Sequence, residues 1–302
     1  MYFLLTKPLK RKLKRVQPLL GTYVQIELQA EADESVLNDW ITQGFKAIDA
    51  IDRLMSFHRS DSDLTRLNRA QPHLWVTVSG HTIGVLKVAE DLWCLSNGVF
   101  DIRCGKALAE RGVLPAVEKS ISYEENIPII PSLEINGLRV RKTGAWIMDL
   151  GGIAKGYAVD HAVQTIQQLA VGVQIDGIVN AGGDLRVWGD AATRIATRID
   201  RVSASAVHPF DIHQTAVATS SVRIESMSCD VLTASAHVNM PSGNFLKEPK
   251  TVTVFAEECC IADALTKIVL LGSTDIAIRC LNRYKARALV FGSDGQIKET
   301  LD

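Results

Sequence analysis

Residues 145–188 read AWIMDLGGIAKGYAVDHAVQTIQQLAVGVQIDGIVNAGGDLRVW, and the order of patterns in this stretch decides the fold class. It opens on an apolar run, Ala145 to Leu150, which predicts a strand ending at Gly151-Gly152. Ala154, Ala158, Ala162, Ile166 and Leu169 then recur at helical spacing. A second apolar run, Ile175 to Val179, leads through Asn180-Ala181-Gly182-Gly183-Asp184 and out along Leu185 and Val187. That is the pattern of two short strands about a glycine turn. Antiparallel pairs mixed with a few long helices indicate an α+β fold rather than a regular βαβ alternation.

The flanking sequence extends this reading. Val24, Ile26 and Leu28 alternate within residues 22–28, as a half-buried strand requires. Val36, Trp40, Ile41, Phe45, Ile48, Ile51 and Met55 then follow helical spacing and predict a long amphipathic helix. Residues 56–68 are polar, a loop or short helix, and a second apolar helix over 82–96 stops at Asn97-Gly98. Further strands are expected at 214–219, 251–255 and 286–291, with a helix over 261–271. No linker or low-complexity tract divides residues 17–302, which read as one domain behind a basic tail, residues 1–16.

Charge and composition exclude several classes of function. The tail holds six Lys or Arg and no acid, so from the whole-chain charge of −1 the remainder carries −1 − 6 = −7. A mildly acidic body argues against a nucleic-acid surface. The apolar run Met1 to Leu5 is too short for a signal h-region or a membrane span, so a solvated tail and a cytoplasmic location are expected, with periplasmic residence open if the N-terminus is processed. With 47% hydrophobic and 22% charged residues the chain can bury its own core. The six cysteines form no C-x-x-C pair and read as mostly core thiols.

Three constellations carry candidate chemistry. In Asp149-Leu150-Gly151-Gly152-Ile153-Ala154-Lys155-Gly156 a glycine-rich turn opens a helix, where backbone N–H groups can meet an anion and Lys155 can add charge; a plain tight turn reads equally well. Asn180 to Asp184 is either a hairpin turn or a main-chain surface for a ligand. In Ala262-Asp263-Ala264-Leu265-Thr266-Lys267 a carboxylate and a hydroxyl stand at i and i+3, oxygen ligands that suit Mg²⁺; the alternative is an acid placed by a helix dipole. His237, ahead of Met240-Pro241-Ser242-Gly243, is the histidine singled out as a candidate catalytic group.

Taken in order, these blocks resemble the FAD:protein FMN transferases, the ApbE family, over nearly all of residues 18–295. The resemblance also uses Leu20-Gly21-Thr22, Ser56 to Asn68, Phe100-Asp101 and Ala218-Thr219-Ser220. It implies a T-fold-like architecture of mixed or antiparallel sheets with packed helices. It further implies FAD as substrate, Mg²⁺ at its pyrophosphate, and transfer of FMN to a Thr or Ser of an acceptor flavoprotein with release of AMP. Carried over by position, Asp263, Thr266 and the Ala154 carbonyl would hold the metal. Ser56, Phe100, Asp101, Lys155, Asn180, Ala181, Gly182, Gly183, Asp184 and Thr219 would bind FAD, and His237 would help deprotonate the acceptor hydroxyl.

The departures from the family pattern cluster at the acceptor and metal end. The usual H-I-x-D-P-x-T-G is here His237-Val238-Asn239-Met240-Pro241-Ser242-Gly243, one residue shorter and without the aspartate. T-S-G-D-Y is replaced by Thr219-Ser220-Ser221-Val222-Arg223. The metal-site threonine usually lies four residues after its aspartate, whereas Thr266 lies three after Asp263. An FAD pyrophosphatase giving FMN and AMP, and an FAD-binding protein without turnover, are the rival readings.

Overall fold

A computed structural model describes residues 10–116, 133–198, 207–222, 238–239, 244–245, 250–292 and 294–302. Its centre is an eight-stranded sheet whose strands lie side by side in chain order. They are β1 (Arg11–Leu19), β2 (Thr22–Ala30), β3 (Ile175–Ala181), β4 (Asp184–Trp188), β5 (Ala216–Val222), β6 (Lys250–Ala256), β7 (Arg287–Phe291) and β8 (Ile297–Leu301). Every neighbouring pair is antiparallel. Seven helices are seen among the described residues: α1 (Glu34–Met55), α2 (Asp63–Arg69), α3 (Gly80–Leu95), α4 (Gly105–Glu110), α5 (Ala154–Leu169), α6 (Cys259–Leu271) and α7 (Thr274–Arg283). The class is α+β, as the patterns predict, and the central sheet is wholly antiparallel rather than mixed.

Strand alternation sorts the sheet into two faces. Val24, Ile26 and Leu28 of β2, with Ala216 and Ala218 of β5, join α1, α5 and α6 in the main core. On the opposite face, Leu185, Val187, Val217 and Phe255 form a smaller cluster with Ile212 of a ribbon, Thr193–Arg198 paired with Val207–Ile212. Helix α1 buries Leu37, Trp40, Ile41, Phe45, Ile48, Ile51 and Met55. Its stripe starts at Leu37, while Val36 is exposed.

Two expectations need correction. The boundary drawn at residue 16 falls inside β1, which pairs along its length with β2. This is an edge strand, and its Lys and Arg side chains guard an edge that would otherwise invite pairing with another chain. Lys10 reaches across to Asp176 of β3 at 2.8 Å. The strand expected over 145–150 is instead an irregular buried segment whose backbone partners lie outside any sheet. Asn68 mimics a neighbouring strand: its Nδ2 donates to the Met148 carbonyl and its Oδ1 accepts the Met148 N–H, both at 2.8 Å. Asp149 N–H donates to the Ile102 carbonyl at 2.7 Å, and the Ile147 carbonyl accepts from Gly105 N–H.

The same segment buries a charge. Lys142 is 1% exposed and donates Nζ to the carbonyls of Asn68 (3.0 Å) and Trp146 (3.1 Å). Burial lowers its pKa from 10.5 to about 8. Between those values the folded chain has released a proton that the unfolded chain still binds, so this group makes stability rise with pH across the window. Lys142→Met removes the effect. The unfolding free energy of the wild type should therefore gain on that of the variant by an amount on the order of 3 kcal/mol as pH rises from about 8 to 10.5. Burial also raises the pKa of the Cys104, Cys259 and Cys260 thiols, and their contribution cancels in the difference. Urea unfolding of both proteins at the two pH values tests this, and parallel profiles would refute it.

Helices α5 and α6 lock together through exchanged carboxylates. Asp160 of α5 accepts the N–H groups of Cys259 (3.0 Å) and Cys260 (2.8 Å), the first turn of α6. Asp263 of α6 accepts the Gly156 N–H in the first turn of α5 at 3.3 Å. Each helix thus satisfies an orphan donor of the other and sets a negative charge at its positive end. The close approach needs glycine, because a Cβ at position 156 would lie 2.3 Å from the Cys259 carbonyl oxygen.

Candidate active site

Above this helix pair lies a cavity of about 700 Å³, within the range of small-molecule sites. It opens between the C-terminal end of α1, the loop that follows it, the segment after α3, the Gly151-Gly152 turn, the first turn of α5, and α6. Ile51, Met55, Val99, Phe100, Leu108 and Leu114 supply apolar wall, and Asp149, Lys155, Ser220 and Lys267 supply polar wall. Gly152 sits between the two kinds of wall: a Cβ there would meet Lys267 Cε at 3.5 Å and Phe100 Cε2 at 3.7 Å.

Of the residues expected from sequence, Ser56, Phe100, Asp101, Ala154 and Lys155 line this cavity. The Asp101 carboxylate is committed to a buried ion pair with Arg103 at 2.5 Å, and that guanidinium lies over Trp93 and within 5.9 Å of the Trp146 ring centre. Asp184 stands one layer behind and accepts Lys155 Nζ at 2.5 Å. Thr219 requires correction. Strand alternation turns it to the far face of the sheet, where its hydroxyl meets that of Thr253 at 3.0 Å, while its neighbour Ser220 lines the cavity. His237 lies outside the described residues.

Asn180 to Gly183 form the β3–β4 hairpin and do not line the cavity. Gly182 and Gly183 take φ of +69° and +113°, and the Asn180 Oδ1 accepts the Gly183 N–H at 2.9 Å. A Cβ at Gly182 would stand 2.7 Å from Thr22 Oγ1. The turn reading therefore accounts for both glycines. Gly182→Val should cost about 2 kcal/mol or more in urea unfolding, since a β-branched residue tolerates positive φ poorly. An unchanged midpoint would contradict this account.

Lys267 was not anticipated, and it reorganises the metal question. Its Nζ is hydrogen-bonded to Asp263 Oδ1 and to the Asp263 carbonyl, the latter at 3.0 Å. The other carboxylate oxygen takes Gly156 N–H. Thr266 folds its hydroxyl back onto the Asp263 carbonyl at 2.6 Å and meets Ser220 Oγ at 2.7 Å. The expected ligand set of Asp263, Thr266 and the Ala154 carbonyl therefore does not fit Mg²⁺. Its one carboxylate already carries an ammonium, and its hydroxyl is engaged beneath the cavity wall. Among the described residues no group of three or more His, Cys, Asp or Glu is placed to hold a metal ion.

Four charges alternate here. Burial opposes ionisation of Asp263, but Lys267 and Lys155 outweigh it and hold its pKa below the ordinary value. Burial likewise works against the Lys155 ammonium, and Asp263 and Asp184 reverse the balance and raise its pKa. For Asp184, burial and then Asp263 dominate, so its pKa is raised. Lys155 remains cationic at neutral pH, and both lysines reach the cavity. Arg59 and His58 also line the wall, in a polar stretch from which the sequence reading singled out only Ser56.

The profile of the ApbE family matches residues 20–291. The chain belongs to the ApbE family. An FAD:protein FMN transferase of Vibrio cholerae serotype O1 is 26% identical over 301 aligned residues, covering 92% of this chain and 87% of that one. Another, from Rhodobacter capsulatus, is 32% identical over 119 residues, 36% of this chain and 22% of its own length. The ApbE protein of Thermotoga maritima superposes with a TM-score of 0.81 at 22% identity, covering 96% of this chain and 97% of that chain. The flavin transferase ApbE of Vibrio cholerae gives 0.78 at 22% identity, over 97% and 98%. These superpositions establish a shared ApbE fold.

Proposed function

We propose that this ApbE-family chain binds FAD in the cavity and transfers FMN to a hydroxyl of an acceptor protein. The observation that carries the reading is the pairing, in one cavity, of apolar wall for a flavin ring with two ammonium groups for a pyrophosphate. The names of the relatives point the same way. In the proposed step the acceptor oxygen forms a bond to the FMN phosphorus, the bond from that phosphorus to the bridging oxygen breaks, and AMP leaves. The hydroxyl proton passes to His237. Lys155 and Lys267 offset charge that develops on the departing oxygen, an electrostatic contribution that needs no covalent chemistry from the protein. The Mg²⁺ expected from the resemblance is not used, because the donor set does not fit it.

One observation favours a second reading. An ammonium resting on Asp263 holds FAD as well as it promotes cleavage, so binding without turnover is the alternative. Mass spectrometry separates the two. An acceptor flavoprotein incubated with the chain and FAD should gain FMN less one water, with AMP released in equal amount. FMN and AMP without a modified acceptor would indicate hydrolysis, and intact bound FAD would indicate storage.

A further inference from the structure

We infer that Lys267 is a built-in substitute for a divalent cation, so that this chain holds the FAD pyrophosphate without metal. The inference rests on the FAD reading above. Lys267 stands four residues after Asp263 on α6, at the position where the family ordinarily carries its metal-site threonine. Its Nζ contacts the Asp263 carboxylate and carbonyl, oxygen atoms of the kind a hard cation would take. Its side chain is 13% exposed and lines the cavity, so the charge is held in place and turned toward the ligand.

The local charge balance follows from these contacts. Asp263 and Asp184 bring two negative charges, and Lys155 and Lys267 bring two positive ones. These four groups sum to zero, and the cavity wall adds Asp52, Asp149 and Arg59 around them. Without Lys267 the same groups sum to −1, and an arriving pyrophosphate would need an added cation. Lys267→Thr would free Asp263 Oδ1, place a hydroxyl four residues along the same helix face, and restore a donor set suited to Mg²⁺. Asp263 would lose its ion pair and keep the Gly156 N–H, while Lys155 stays paired with Asp184.

The test uses the full chain and flavin fluorescence to measure FAD affinity in EDTA and in MgCl₂. Wild-type affinity should be the same in both. Lys267→Thr should bind about tenfold or more weakly in EDTA and recover in Mg²⁺; Lys267→Met should weaken equally and not recover. Wild-type affinity that rises about tenfold with Mg²⁺ would overturn the inference, as would variants that match the wild type in EDTA. A second measurement does not depend on flavin: electron paramagnetic resonance of added Mn²⁺ should show a bound ion in Lys267→Thr and none in the wild type. A wild-type Mn²⁺ site that disappears in Asp263→Asn would also overturn it. If no protein binds FAD in either buffer, the proposed function fails, and the Mn²⁺ result still decides the role of Lys267.

Discussion

Asp160→Ala should lower the unfolding free energy by about 3–5 kcal/mol, the range for breaking a buried ion pair by removing one partner. The Asp160 side chain is 7% exposed and holds the Arg186 guanidinium at 2.7 Å as well as two N–H groups at the start of α6. Removing it leaves a half-buried cation and two buried donors without their acceptor. Burial raises the Asp160 pKa against the pull of those partners, so the ion itself is costly. What the carboxylate contributes is an acceptor for groups that show no other hydrogen-bond partner among the described residues. Asp160→Asn keeps an acceptor oxygen and should therefore cost less than the alanine variant. Urea unfolding followed by circular dichroism measures both. An alanine variant within about 1 kcal/mol of wild type would show that water or neighbouring groups replace the carboxylate.

His237→Asn should slow FMN transfer by about 10²-fold or more while FAD affinity holds. The proton moves only as the acceptor oxygen attacks, so the loss belongs in the turnover rate and not in binding. With a neutral imidazole as base, the wild-type rate climbs with pH and levels off above about 6.5, the ordinary histidine value. The variant should lose that limb of the profile. Equal turnover in both proteins would remove His237 from the mechanism and assign the proton to another group. Both proteins in this comparison keep Lys267, so the difference between them isolates His237.

Much of the fold was legible because its helices carry wide apolar stripes. Trp40, Ile41, Phe45, Ile48, Ile51 and Met55 announce α1, and the run from Ile261 to Leu270 announces α6. The stretch 145–150 misled because an apolar run shows only that a segment is buried. Whether its backbone pairs with a strand or with Asn68 is decided by residues far away in sequence. β1 was hidden by the Lys and Arg of an edge strand, which look like a solvated tail. At the site, Thr219 was placed one residue off the correct face, and strand period makes that error complete. Asp263 and Thr266 share a helix face, but a threonine hydroxyl commonly bonds its own preceding turn, as this one does. The usable signal was Lys267 at i+4, a spacing at which an ammonium readily meets a carboxylate.

The chain-order sheet bears on how the molecule is assembled over time. Each strand adds beside the one before it, yet β2 must wait for its second neighbour while residues 31–174 are made. Until then the β1–β2 hairpin can rest only on α1, with one long edge of β2 open. Pairings separated so widely in sequence are slow to form, because the intervening loop must be closed before any contact rewards it. The β2–β3 seam is therefore expected to form late in folding. Its tardiness leaves β2, with Val24, Ile26 and Leu28, as the segment most exposed to capture by a second chain during synthesis.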